Sequence, residues 1–343
     1  MAASKSINLA LQGGGSHGAF TWGVLDRLLE DERLLIAAIS GTSAGAMNAV
    51  LVADGLGNGG RTVARERLAS FWKAVSDAAR FSPIQRTPID RFMGNWSMDS
   101  SPGYLWFDMA SRFFAPSQVN PLKLNPLRDI LLEHVDFDDV RACQKLRLYI
   151  SATNVETGRV RVFERGEVNA DVVMASACLP FLFEAVEIDG APYWDGGYAG
   201  NPPLFPLVAG QCDDIVIVQI NPIERAGTPT SAHEIHNRIN EITFNQSLLK
   251  ELRAIEFVHR LLEQGRLDAQ EYHDMRIHII ENQDCLKPLG ASSKLNAEWE
   301  FLTYLRDIGR LTASRWLEQH YAQLGKNSTV DLQAMFQGSA IGG

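Results

Sequence analysis

The chain contains no run of about 18 or more apolar residues, so none of its segments reads as a helix built to cross a bilayer. Its opening residues, 1–6, lack the apolar stretch behind a basic head that a secretory leader needs, and a cytoplasmic location is expected. Cysteine is scarce: Cys143, Cys178, Cys212 and Cys285 are the four in 343 residues, and none stands in CxxC spacing. That scatter excludes a disulfide framework and a cysteine zinc site, leaving four buried free thiols as the expectation. Cations are outnumbered, 32 Lys and Arg against 41 Asp and Glu for a net charge of −9, and they are not clustered. Broad capture of nucleic acid or of an anionic bilayer by charge is therefore not expected. Where the protein meets lipid, apolar contacts must carry much of the binding. No acidic cluster has the spacing of a calcium loop or another metal site, and there is no internal repeat or low-complexity tract. What is present is a globular composition, 45% hydrophobic and 21% charged, sufficient for one large core with an appended helical layer.

Residues 7–12 form a short apolar run that ends in Gly13-Gly14-Gly15, and Trp22, Val24, Leu25, Leu28 and Leu29 follow at helical spacing. The same strand, turn and helix pattern recurs at once. Residues 34–39 are apolar, Gly41-Thr42-Ser43-Ala44-Gly45 turns, and residues 46–56 read as a helix stopped by Gly57. Two βα units in tandem predict a mostly parallel sheet with helices on its faces. Further strands are expected at 146–153, 160–163, 186–188 and 215–220. Between 81 and 126 six prolines interrupt any long helix, and Phe81, Phe92, Trp96, Tyr104, Trp106, Phe107, Phe113 and Phe114 crowd together. An insertion of that kind in an α/β domain reads as a cap over a site, against the alternative of a helical excursion packed on the core. After Asn221 the strands give out; 233–265 and 298–324 read as long amphipathic helices, and the tail from Lys326 is expected to fray.

Gly41-Thr42-Ser43-Ala44-Gly45 is a G-x-S-x-G between a strand and a helix, the setting of a nucleophile elbow. Small flanking residues allow a sharp turn that leaves the Ser43 hydroxyl projecting, with the helix N-terminus beside any oxyanion that forms. Gly13, Gly15 and Gly18 also fit the dinucleotide fingerprint G-x-G-x-x-G. That fingerprint asks for an acidic residue at the end of the second strand, where this sequence instead has Ser40-Gly41-Thr42-Ser43. The glycine turn is equally a cluster of exposed backbone N–H groups, and Gly13, Gly14 and Gly15 with Ala44 are the expected oxyanion hole. A hydroxyl nucleophile needs a base. Asp195, in Tyr193-Trp194-Asp195-Gly196-Gly197 after the hairpin 186–192, is the candidate.

Taken together, Gly13-Gly14-Gly15-x-x-Gly18, Gly41-x-Ser43-x-Gly45 and Asp195-Gly196-Gly197 resemble, in order and spacing, the patatin-like phospholipases. Ala175-Ser176-Ala177-Cys178-Leu179-Pro180, Ile188-Asp189-Gly190 and Asn201-Pro202-Pro203-Leu204 add to the likeness, which covers residues 7–220. The resemblance implies a three-layer α/β/α fold, a Ser43–Asp195 dyad without histidine, and hydrolysis of acyl esters, commonly phospholipids or lysophospholipids, without cofactor or metal. His17 departs from it, since the family often carries Arg or Lys there. The expected organisation is a catalytic α/β domain over 1–220 with the cap at 81–126, a helical extension over 221–325 on the same core, and a flexible tail over 326–343. Three alternatives stay open: an esterase or thioesterase on another acyl substrate, a non-catalytic lipid-binding protein, and an α/β-hydrolase triad. The last would use His233, His236, His259, His273, His278 or His320. The expected partners are a phospholipid or other acyl ester, with peripheral contact to a membrane or lipid surface admitted and nucleic acid excluded. The sequence sets no oligomeric state.

Overall fold

The computed structural model describes residues 4–121, 124–210, 212–268 and 270–337. Among these residues eight strands form one sheet: β1 (Lys5–Leu11), β2 (Leu34–Gly41), β3 (Arg147–Asn154), β4 (Val160–Glu164), β5 (Val186–Ile188), β6 (Ala191–Asp195), β7 (Asp214–Val218) and β8 (Arg276–Ile280). Their order is β5-β6-β3-β2-β1-β7-β8, with β4 paired to β3 off that path. β3, β2, β1, β7 and β8 run parallel, while β4, β5 and β6 are antiparallel additions.

The parallel strands are apolar nearly throughout because both faces of the sheet are covered. Strand alternation sends Leu9, Leu11, Val216 and Val218 to one face, against α1 (Gly18–Glu30), α2 (Ala44–Asn58), α3 (Arg61–Ala79) and the Trp299–His320 helix. Ala10, Ile215, Ile217 and Ile277 point to the other, against the Ala232–Glu263 and Leu332–Gln337 helices. The result is a three-layer α/β/α fold with a mostly parallel sheet. The C-terminal layer is tightly applied. Gly23 of α1 and Gly309 of the Trp299–His320 helix face each other's neighbours, and a Cβ on either would overlap the opposing backbone, at Arg306 or Phe20.

Four features differ from the sequence reading. A strand does follow Asn221: β8 pairs in parallel with β7, and Arg276 bonds Asp214 at 2.9 Å. Five residues that open on a charge give too short an alternation to stand out. The tail is packed as far as Gln337, with Leu332 buried and Met335 and Phe336 against the same core, while residues 338–343 lie outside the described residues. Cys143, Cys178 and Cys212 are buried, but Cys285 is only half-buried.

The insertion, finally, divides in two. Its prolines open short helices at Pro88–Phe92, Pro102–Phe113 and Pro116–Val119, using the position where a missing N–H costs nothing. Trp96 packs on the C-terminal layer, 5.1 Å from the Phe301 ring and 5.5 Å from Tyr304. Buried Arg86 lies 4.3 Å over the Trp96 ring and donates to Glu298 at 2.9 Å. Phe81, Phe92, Trp106, Phe113 and Phe114 instead stand exposed.

Candidate active site

β1 and β2 are parallel neighbours with Leu11 opposite Gly41, so the glycine turn and the serine turn leave the sheet side by side. Ser43 takes φ 54 and ψ −121, a conformation that L residues adopt at a cost of about 1–3 kcal/mol unless neighbours enforce it. Three backbone bonds enforce it here. Thr42 N donates to Leu11 O at 3.2 Å, Gly45 N to Thr42 O at 2.8 Å, and Ser43 N to Ser176 Oγ at 2.8 Å. Gly13 lies directly against the turn, where an added Cβ would come 2.7 Å from the Ser43 Cβ. Behind it, Asn48 of α2 donates to Gly18 O at 3.0 Å and accepts from Trp72 Nε1 at 3.0 Å, fixing the starts of the first two helices relative to each other.

Asp195 arrives by a different route. Ile150 of β3 pairs with Gly41 on one edge and with Phe163 of β4 on the other, while Ala152 pairs with Arg161 of β4 and with Asp195. β6 therefore continues along the edge that β2 leaves at its turn, two residues further along β3. Asp189-Gly190 makes the tight hairpin that returns the chain, with φ of 52 and 78. The Asp195 carboxylate accepts from Gly197 N at 2.7 Å, and its backbone N–H donates to Cys178 O at 2.8 Å. Burial pushes its pKa up to about 6, against the opposing pull of Gly197, Ser43 and the charge of Lys294.

A buried amide network under the glycine turn has no counterpart in the sequence reading. Gln12 Oε1 accepts from the backbone of Ile220 and Asn221, both at 3.0 Å. Asn221 Nδ2 donates to Gly13 O at 2.8 Å, and Gly13 N donates to Asn201 Oδ1 at 2.7 Å. Gly13 is thereby corrected: its N–H is committed to the scaffold and is not available to an oxyanion. Among the described residues the amides of Gly14, Gly15 and Ala44 donate to no acceptor in the protein.

His17 is buried, with Nε2 2.8 Å from Ser293 Oγ, and burial together with Lys294 and Arg225 lowers its pKa to about 3. It is a neutral packing residue, not a loop cation. The other histidines sit elsewhere. His278 bonds Asp214, His259 bonds Asp274, His273 bonds Asp213, His320 packs on Trp316, and His236 is exposed. The side chain of His233 lies outside the described residues. Among the described residues no histidine hydrogen-bonds Ser43 or Asp195, and no group of three metal-ligating side chains occurs. A cavity of ≈ 180 Å³, lined by neither Ser43 nor Asp195, lies between the insertion at Pro116 and a wall that includes Met174, Ala177, Cys178 and Phe183.

A serine on an elbow between a parallel strand and a helix, one strand position from a glycine turn, defines the class of the site. The family profile for patatin-like phospholipases matches residues 9–208, more than half of the chain, and the chain belongs to that family. No curated protein matches it. Among solved structures it is similar to VipD from Legionella pneumophila, with a TM-score of 0.37 and 15% identity over 92% of this chain and 67% of that one. It is also similar to the type III effector protein ExoU, with a TM-score of 0.32 and 16% identity over 92% of this chain and 53% of that one. The match to full-length ExoU of Pseudomonas aeruginosa in complex with SpcU has a TM-score of 0.28 and 16% identity, over 96% of this chain and 75% of that one. The chain thus spans about half the length of one of the ExoU chains.

Proposed function

We propose that the protein hydrolyses carboxylic esters of phospholipids or lysophospholipids through an acyl-serine intermediate, with Ser43 as nucleophile and Asp195 as base. Family membership supports a lipid hydrolase. The observation that carries the finer reading is Ser43, on a turn whose strain is held by the surrounding backbone, close enough to the buried Asp195 carboxylate to favour its charged form. Asp195, ionised above about pH 6, takes the hydroxyl proton as Ser43 Oγ attacks the ester carbonyl. Negative charge then develops on the carbonyl oxygen, and the amides of Gly14, Gly15 and Ala44 are the available donors; one such donor contributes about 3 kcal/mol. Asp195 returns the proton to the leaving alcohol. Water repeats the sequence on the acyl-serine and releases the fatty acid. No step calls for a cofactor.

The cavity walled by Met174, Ala177 and Cys178 supports an acyl-chain site, because the Cys178 carbonyl holds the Asp195 backbone. The exposed rings of the insertion support contact with a lipid surface, burying apolar area at about 25 cal/mol per Å². The test is a panel of phospholipids, lysophospholipids, neutral glycerides and thioesters given to wild type and Ser43→Ala, with products identified by mass. Fatty acid released from phospholipid by wild type alone is expected; equal release by the variant would remove Ser43 from the mechanism.

A further inference from the structure

Lys294, a cation from outside the family-matched segment, sits under the glycine loop. The short turn Ala291–Leu295 is pinned under the glycine loop at two points. Ser293 Oγ donates to Gly290 O at 2.6 Å, so it accepts from His17 Nε2, and the Lys294 carbonyl approaches Gly15 so closely that a Cβ there would stand 2.5 Å from it. From that anchor Lys294 Nζ reaches Asn221 Oδ1 at 2.7 Å and lies 5.4 Å from the centre of the Phe244 ring. Asn221 is the side chain that holds the Gly13 carbonyl. Phe244 packs on Gly197, whose N–H bonds the Asp195 carboxylate and whose missing side chain leaves room for the ring.

The charged groups around Lys294 are Asp195, Glu241, Arg225 and His17. Glu241 pairs with Arg225, Nη2 to Oε1 at 2.6 Å, and with Arg238 at 3.1 Å, yet among the charges it acts on Lys294 most strongly, with Asp195 next. His17 is neutral. Among the described residues Lys294 makes no ion pair within 4.0 Å, and Asp195 makes none. Half-buried Lys294 and buried Asp195 thus stand as groups of opposite sign on either side of Phe244 and the glycine loop. Each favours the charged form of its counterpart.

We propose that Lys294 is a positioning residue of the dyad, supplying from the C-terminal layer the counter-charge that keeps the buried Asp195 carboxylate ionised for its work as base. This rests on the hydrolase reading for its purpose, but not for its measurement. The sign follows directly. Removing the cation strips the carboxylate form of a favourable partner, so Asp195 should hold its proton to higher pH.

The experiment titrates the Asp195 side-chain carboxyl by carbon NMR in the full-length wild type, Lys294→Met and Lys294→Arg, with Asp195→Asn to assign the resonance. The acid limb of kcat/KM on a soluble short-chain ester is recorded alongside. Lys294→Met is expected to move the carboxyl midpoint upward by about one pH unit, a tenfold change in proton affinity, with the acid limb following. Lys294→Arg should stay close to wild type. An unmoved midpoint in a folded Lys294→Met would overturn the proposal even if its activity fell, since that pattern belongs to a purely structural side chain. Lys294→Gln serves the same comparison if the Met variant folds poorly. A shifted midpoint in a protein that cleaves no ester would sink the hydrolase reading and leave the Lys294–Asp195 coupling standing.

Discussion

Around Ser43 the backbone is committed almost group by group, and side chains from four distant segments converge to hold one turn. Gln12, Asn201, Asn221 and Asn245 lie buried beneath the glycine loop. The exposed half of the insertion follows the opposite logic. Phe81 is 92% exposed, Phe92 90% and Phe113 78%, with Trp106, Met109 and Leu124 beside them in sequence or close to it. Among the described residues these side chains stand largely out of the fold, and contiguous apolar surface of this kind marks an interaction site. The contrast teaches a division of labour. Geometry that must hold to a fraction of an ångström is over-determined by buried amides, whereas the lipid contact proposed for the exposed rings would need only apolar area.

The sharpest way to break the first half of this comparison is Asp195→Asn, which keeps size and hydrogen bonding but removes the base. Turnover of a soluble ester should fall by about 10⁴-fold with the fold retained. Wild-type kcat in the folded variant would discard the dyad. Next in size is Gly45→Val. A Cβ at Gly45 would overlap the Leu11 carbonyl, and the substitution should destabilise by about 3 kcal/mol in denaturant melts.

The same aspartate yields a prediction of opposite sign for stability. Its folded pKa of about 6 lies above the 3.8 of a free carboxyl, so the folded state binds the proton more tightly than the unfolded chain. Stability therefore declines as pH rises from about 4 to about 6, by about 3 kcal/mol in total, and stays reduced above that. Asp195→Asn escapes this cost and should melt higher than wild type at pH 8 but not at pH 4. A melting temperature unchanged at pH 8 would show that the carboxylate is well solvated.

The smallest effects separate the halves of the insertion. Trp96→Ala, which removes a ring packed on Phe301 and Tyr304, should cost about 2 kcal/mol of stability. Trp106→Ala should cost less than about 0.5 kcal/mol, yet reduce binding to phosphatidylcholine vesicles and activity on them more than on a soluble ester. Equal melting losses in the two variants would erase the distinction.

Much of the site is legible in the sequence because sharp turns demand particular residues. Ser43 and Asp195 each stand among glycines, and the strand on one side and helix on the other are visible as periodicity. What stayed hidden depends on distance in space. Asn201 enters the sequence reading only through the family likeness, and Asn221 and Lys294 have the composition of surface residues that packing turns into supports of the glycine loop. Gly13 differs from the sequence expectation for the same reason, since nothing local announces that Asn201 takes its N–H. The two halves of the insertion share one composition, and Arg86 and Glu298, 212 residues apart, decide which half is buried.

The central claim is that Ser43 is a nucleophile activated by Asp195, and covalent trapping tests it most directly. Intact-mass spectrometry after reaction with a fluorophosphonate should show one adduct on wild type, none on Ser43→Ala, and slow labelling of Asp195→Asn. A stoichiometric adduct that persists in folded Ser43→Ala would contradict the account.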